Sequence, residues 1–285
     1  MSFDEFWADL DTELAGFPAR PVLERIPGRC TADFTGYEVR FSGIGSYRLF
    51  GYLSVPTGPG PFPGLLEVPR HGSVDNPPHY HERLRYLVFT PAHRGQRRAD
   101  SPFAAAYPGL FTRGIGSPAS YVYREIVADC LRAAEFLLGH PDLDRARVGV
   151  TGDDLAVLVA ARRPGFTALQ VTSPLLHDPL RLRHDTREYP LEELNDHLRH
   201  HPGDEERFAC TLSLFEPAWH APSVTARTLL SVPDSAPVWG QDLLDGFGDR
   251  LETYRRTDRD AVDVGALDAW LAGRLGVEAM PRFAS

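Results

Sequence analysis

The stretch GDDLA at residues 152–156 places two carboxylates in a turn where they could do chemistry. The apolar residues 148–151 predict a buried strand before the turn, and residues 155–160 predict a helix directly after it. In many hydrolases a turn between a strand and a helix reads Gly-x-Ser-x-Gly, and its serine is the nucleophile. A carboxylate in that place can act as a nucleophile, as a general base or as a general acid. Asp153 and Asp154 can equally be N-caps of the helix, a purely structural role.

The segments around this turn alternate between strand and helix patterns along most of the chain. Short apolar stretches predict strands at residues 64–68, 86–90, 147–151, 168–173, 228–232 and 250–254. Amphipathic stretches predict helices at residues 120–139 and 265–275. Strands that alternate with helices favour a mostly parallel twisted sheet flanked by helices. The sequence therefore predicts the α/β class, with residues 1–285 in a single domain.

Two segments add to this pattern. Ser2 and Glu5 have the spacing of a capping box in front of an N-terminal helix. Residues 35–41 and 47–55 alternate between apolar and polar and predict an antiparallel hairpin. Residues 178–208 are polar and rich in Arg, His and Glu, which predicts a small cap-like insertion on the domain.

The composition excludes several kinds of partner and chemistry. The net charge of −9 argues against nucleic acid and anionic membranes, and no apolar run approaches the roughly 20 residues that span a bilayer. All 30 basic residues are arginine, so lysine Schiff-base chemistry is excluded. The histidine pair at positions 197 and 201 lacks the intervening glutamate of a zinc-binding HExxH helix. We therefore expect a cytoplasmic protein that acts on a small molecule, with no metal and no cofactor.

Five segments spread over nearly the whole chain form a colinear series: residues 3–14, 35–56, 94–96 (Arg-Gly-Gln), 113–137 and 188–216. In this order they resemble the acetyl xylan esterase and cephalosporin C deacetylase family, carbohydrate esterase family seven. The resemblance implies an α/β-hydrolase fold. It also implies removal of acetyl groups by a Ser-Asp-His triad, and it suggests a homo-oligomer.

The same resemblance places the family's site residues on this chain. The nucleophilic serine falls on Asp154, and the oxyanion-hole glutamine that follows it falls on Leu155, where only a backbone amide is needed. The triad histidine falls on Arg259, and no histidine follows His220 in the sequence. The nearest residue for the triad acid is Asp234.

The family's His-Gly-Tyr, whose tyrosine amide helps to bind the oxyanion, falls on residues 69–71. His71 is therefore the histidine that the alignment brings near Asp154. We expect Asp153 to raise the pKa of Asp154 through its like charge. Arg70 and Arg259 can oppose that shift or bind an anionic group of a substrate.

The loss of both serine and histidine leaves three hypotheses about function. The leading one is a non-hydrolytic enzyme of specialised metabolism that acts on an acetylated or acyl small molecule. In it the Asp154 carboxylate does acid–base chemistry, for example by removing a proton so that acetate is expelled, and His71 is the second catalytic candidate. The second is a catalytically silent relative with a ligand-binding or scaffold role. The third is a slow acetyl esterase that uses Asp154 and His71.

Overall fold

Nine strands form one sheet over the residues that the computed structural model describes, which are 2–74, 76–232, 239–257 and 259–280. In chain order they are β1 (Val22–Arg25), β2 (Phe34–Ser42), β3 (Arg48–Pro56), β4 (Phe62–Glu67), β5 (Leu87–Ala92), β6 (Leu143–Gly152), β7 (Ala168–Val171), β8 (Arg227–Val232) and β9 (Leu251–Arg255). The order across the sheet is β1-β2-β3-β5-β4-β6-β7-β8-β9. The strands from β1 to β3 and on to β5 pair antiparallel, and those from β5 to β9 pair parallel.

Helices cover both faces of this sheet. They are α1 (Phe3–Ala15), α2 (Tyr80–Arg85), α3 (Val122–Leu138), α4 (Leu155–Arg162), α5 (Pro179–Leu182), α6 (Glu192–His200), α7 (Glu205–Leu212), α8 (Pro217–His220), α9 (Gln241–Phe247) and α10 (Asp260–Leu275). Helix α1 begins at the predicted capping box, in which Ser2 and Glu5 each accept a backbone N–H from the other. The predicted polar insertion contains α5, α6 and the first half of α7.

The strands alternate their side chains between two cores. On β4, Leu65 packs into the smaller core, which α10 covers with Leu271 and Leu275, whereas Leu66 packs into the larger core. A side chain at Gly149 would approach the methyl groups of both α10 leucines to about 3 Å, so glycine lets the helix lie close to β6. Both faces are therefore buried, as a parallel sheet requires.

The predicted α/β class is confirmed, with a mostly parallel sheet, an N-terminal helix and an antiparallel hairpin. The parallel strands all end on one side of the sheet. The loops at these carboxyl ends meet at one edge, where α/β folds commonly bind ligands.

Candidate active site

The turn between β6 and α4 lacks the strained backbone of a nucleophile elbow. Asp154 has φ −67° and ψ −9°, which is ordinary right-handed helical geometry. A nucleophile elbow is a sharp, strained turn that exposes its central side chain. Here the Asp154 side chain has no exposed surface. The predicted strand, turn and helix are present, but the carboxylate points into the protein.

The carboxylate of Asp154 holds the loop that follows β7. Its Oδ2 accepts the backbone N–H groups of Leu175 at 2.9 Å, Leu176 at 2.9 Å and His177 at 2.7 Å. The backbone N–H of Asp154 donates in return to the carbonyl oxygen of Ser173 at 3.1 Å. The side chain makes no capping hydrogen bond to its own helix. Asp154 therefore fixes a loop about 20 residues away in the sequence.

Asp153 accepts the two backbone amides that the family resemblance assigns to the oxyanion hole. Its Oδ1 accepts the N–H of Leu155 at 3.0 Å, and its carboxyl also accepts the N–H of His71. Asp153 is buried, so water does not compete for these two donors. The side chain of Leu155 is buried as well. Both donors that the resemblance assigns to the oxyanion hole are thus bound to a carboxyl of the chain itself.

At neutral pH one of the two adjacent carboxyl groups, Asp153 and Asp154, is protonated and the other is ionised. Burial raises the pKa of both, and the charge of Asp154 raises that of Asp153 further. The amides of the loop after β7 favour the ionised form of Asp154. We therefore place the negative charge on Asp154 and the proton on Asp153 at neutral pH.

The protonation of Asp153 predicts a measurable pH dependence of stability. Because its pKa is higher in the folded chain than in the unfolded one, stability falls as pH rises above about 4, the usual value for aspartate, towards the raised pKa. Asp153→Asn removes this slope. We expect wild type to lose unfolding free energy relative to the variant by about 1 kcal/mol per pH unit between pH 5 and pH 7 in urea titrations. A constant difference between the two proteins would contradict the assignment, and exposed Asp185→Asn is the control.

His71 binds a buried tyrosine rather than Asp154. Its Nδ1 lies 2.8 Å from the hydroxyl of Tyr123 on α3, and its ring packs edge-on against Tyr107. Burial lowers the pKa of His71 to about 4, with a smaller contribution from His93, so the ring is neutral at pH 7. The sequence analysis did not predict Tyr123, because its place on an amphipathic helix indicates only packing.

The Arg-Gly-Gln motif supports the loop that carries His71. The amide nitrogen of Gln96 donates to the carbonyl oxygens of Arg70 and Gly72 at 2.9 Å each. Arg94 donates through Nε and Nη2 to the buried carboxylate of Asp129. Gly95 adopts φ +88°, where a Cβ would lie 2.8 Å from Phe103. The motif therefore anchors the loop after β4 to α3.

A second polar cluster, which the sequence analysis missed, ties three loops together at the same edge. His177 lies 2.5 Å through Nδ1 from Glu216 at the start of α8, and its Nε2 accepts the N–H of Gly240 at 2.8 Å. The other oxygen of Glu216 accepts the N–H of Asp178. Burial lowers the pKa of His177, but the adjacent Glu216 outweighs it, and the net pKa is raised. No short motif marks these residues, because they come from separate loops.

The remaining predicted residues do not converge on Asp154. Arg70 is exposed and donates to the Thr172 hydroxyl at 3.2 Å. Arg259 is exposed at the start of α10 and lines an open cleft of about 430 Å³. Asp234 lies outside the described residues. Among the residues that the structure describes, no group of three His, Cys, Asp or Glu side chains could hold a metal ion. No described helix is both long and apolar enough to cross a bilayer.

Comparison with known proteins agrees with this architecture. A family model described as acetyl xylan esterase matches residues 1–235. The chain belongs to the acetyl xylan esterase family. Acetyl esterase Axe7A of Xylanibacter ruminicola is 24% identical over 195 residues, which cover 62% of this chain but only 44% of that protein.

Two solved acetyl xylan esterases have the same fold. The enzyme from Paenibacillus sp. R4 superposes with a TM-score of 0.76 at 23% identity, covering 90% of this chain and 88% of the other. The enzyme from Thermoanaerobacterium sp. JW/SL YS485 gives 0.71 at 20% identity, covering 89% and 85%. The chain thus has the fold of these acetyl xylan esterases.

Proposed function

We propose that this member of the acetyl xylan esterase family binds a small acyl or acetylated molecule without hydrolysing it. The observation that carries the proposal is the pair of hydrogen bonds from the amides of Leu155 and His71 to the Asp153 carboxyl. Acyl transfer needs such donors to be free for the developing oxyanion, and removing one donor alone costs on the order of 10²–10³ in kcat. A buried carboxyl that holds both donors opposes hydrolysis by any nucleophile in this turn.

Asp154 supports the same conclusion. An aspartate nucleophile must reach the substrate, and a histidine must then activate water for the second step. The Asp154 carboxylate is fully buried and bound by three amides, and the His71 ring binds Tyr123. The Asp154 carboxylate is thus not free to attack an ester. The proposal thus favours the second of the three hypotheses, a silent relative that binds a ligand.

Acid–base elimination is the second candidate, and one observation favours it. Burial keeps Asp153 protonated and the His71 ring neutral, so the neighbouring loops before α4 and after β4 carry one acid and one base. In this reaction His71 takes a proton from the carbon next to the one that bears the ester. The electron pair forms a carbon–carbon double bond, the alkyl C–O bond breaks, and acetate leaves with the proton of Asp153.

Incubation of the full chain with acetyl esters in H₂¹⁸O separates these functions. For 4-nitrophenyl acetate, which cannot eliminate acetate because its ester oxygen is bonded to an aromatic ring, we expect no acetate release above that of buffer. Release of ¹⁸O-labelled acetate by wild type but not by Asp154→Asn would overturn the proposal and support the slow esterase. Unlabelled acetate together with an alkene, from a substrate that can eliminate, would support the second candidate. Asp185→Asn is the matched control for both assays.

A further inference from the structure

Two arginines from different loops meet on one residue at the carboxyl edge of the sheet. Arg70, after β4, donates through Nη2 to the Thr172 hydroxyl at 3.2 Å. Arg256, after β9, donates through Nη2 to the Thr172 carbonyl oxygen and through Nε to the Ser231 hydroxyl at 2.6 Å. Thr172 directly follows β7, so the two guanidinium groups flank the end of this strand.

No carboxylate among the residues described here lies within ion-pair distance of either guanidinium. At longer range the charge of Arg70 opposes the raised pKa of Asp153, and that of Arg256 contributes to the lowered pKa of Asp263. The Thr172 hydroxyl already donates to the carbonyl oxygen of Gly152 at 3.0 Å, so it serves Arg70 only as a neutral acceptor. Most other arginines near the core pair with a carboxylate, as Arg94 does with Asp129 at 2.8 Å. Each guanidinium has five N–H donors in a rigid fork, so Arg70 and Arg256 keep donors for another acceptor. Two like charges held on one neutral residue favour an anion between them.

Each arginine lines a space that is large enough for a small anion, although no single cavity is lined by both. A cavity of about 160 Å³ between the sheet and α10 is lined by Arg70, Thr151 and Thr172, and an adjoining one of about 210 Å³ by Arg70, Thr151 and Gly152. Glu67 on β4 lines both. Glu82 and Asp268 also line the first, where Asp268 is paired with Arg85 at 2.6 Å. Arg256 lines the neighbouring cleft of about 430 Å³. These spaces lie at the edge where α/β folds bind ligands.

We propose that Arg70 and Arg256 form a subsite for a carboxylate or phosphate group carried by the small molecule that this chain binds. This inference rests on the proposed binding function and adds the charge of the ligand to it. The turn with Asp153 and Asp154 is negatively charged and enclosed, so the arginine pair, rather than that turn, selects the ligand. A neutral acetylated molecule would leave both guanidinium groups unmatched.

The test titrates the full chain with sodium acetate and, separately, with inorganic phosphate at constant ionic strength, by calorimetry. We expect saturable binding with a Kd on the order of 1–10 mM for the preferred anion. Arg70→Gln and Arg256→Gln should each weaken binding about tenfold, because each removes a charge-assisted hydrogen bond. Arg256→Lys keeps the positive charge and should retain part of the affinity. Tighter binding of acetate would assign a carboxylate ligand, and tighter binding of phosphate a phosphate ester.

Arg145→Gln is the matched control. Arg145 is exposed on β6 and, in the described part of the chain, has no ion pair. Absence of saturable binding to wild type, or equal weakening in Arg145→Gln, would overturn the inference. Circular dichroism melts of each variant confirm that the compared chains are folded. If the chain does not bind anions, the result of the hydrolysis test still stands, because that test measures acetate release from a neutral ester.

Discussion

Replacing Asp154 by alanine is expected to lower the free energy of unfolding by about 3–5 kcal/mol, as each unpaired buried N–H costs about 1–3 kcal/mol. The carboxylate accepts three backbone amides from Leu175, Leu176 and His177, and none of them has exposed alternatives in that buried loop. Urea unfolding measures the loss. Amide hydrogen exchange should show faster exchange at these three positions.

Two variants make this result interpretable. Asp154→Asn keeps one carbonyl acceptor for the loop and should lose about half as much stability. Asp185→Ala removes an aspartate whose side chain is 68% exposed, so its unfolding free energy should stay within about 0.5 kcal/mol of wild type. A loss below about 1 kcal/mol in Asp154→Ala would mean that the carboxylate does not hold the loop in solution.

Asp129→Ala is expected to destabilise the chain by a similar amount, about 3–5 kcal/mol. Asp129 is buried on α3 and accepts the backbone N–H, Nε and Nη2 of Arg94 at 3.0, 2.9 and 2.8 Å. Its removal leaves a buried guanidinium that has lost its main counter-charge. Arg94 and Gln96 anchor the loop after β4. The backbone amide of His71 in that loop should therefore exchange its hydrogen faster in this variant than in wild type.

Glu125→Ala is the matched control, because Glu125 contacts the same arginine from the surface. Its carboxylate lies 2.9 Å from Nη1 of Arg94, but its side chain is 43% exposed. Solvent screens such a pair, so the loss should be at most about 1 kcal/mol. Equal losses in the two variants would show that burial does not decide the strength of this cluster.

Much of the fold was predictable because it follows from local patterns. The apolar stretch at residues 64–68 and the alternation at 35–41 and 47–55 have the two-residue period of strands, and the structure has β4, β2 and β3 there. The capping box at Ser2 set the start of α1. The end of β7 was less predictable. The sequence pattern extends this strand to residue 173, but β7 ends at Val171, and the carbonyl oxygen of Ser173 accepts the backbone N–H of Asp154 instead.

The site was predictable only in its residue types. The resemblance placed Asp154 in the turn and His71 in the loop after β4, and both lie at the carboxyl edge of the sheet. Which amides each carboxyl meets could not be predicted, because the donors come from residues 71 and 175–177, far away in the sequence. The same holds for His177 with Glu216 and for Arg70 with Arg256.

The sequence by itself determined the α/β class, the position of the turn at residues 152–156 and the absence of its serine. The tertiary structure decided the orientation of the two aspartates: Asp154 holds the loop after β7, and Asp153 accepts the amides of Leu155 and His71. The physical reason is that the spacing of apolar residues, which indicates strands and helices, is a local property of the sequence. The partner of a buried carboxylate, by contrast, is whichever N–H group the folded loops bring within hydrogen-bonding distance.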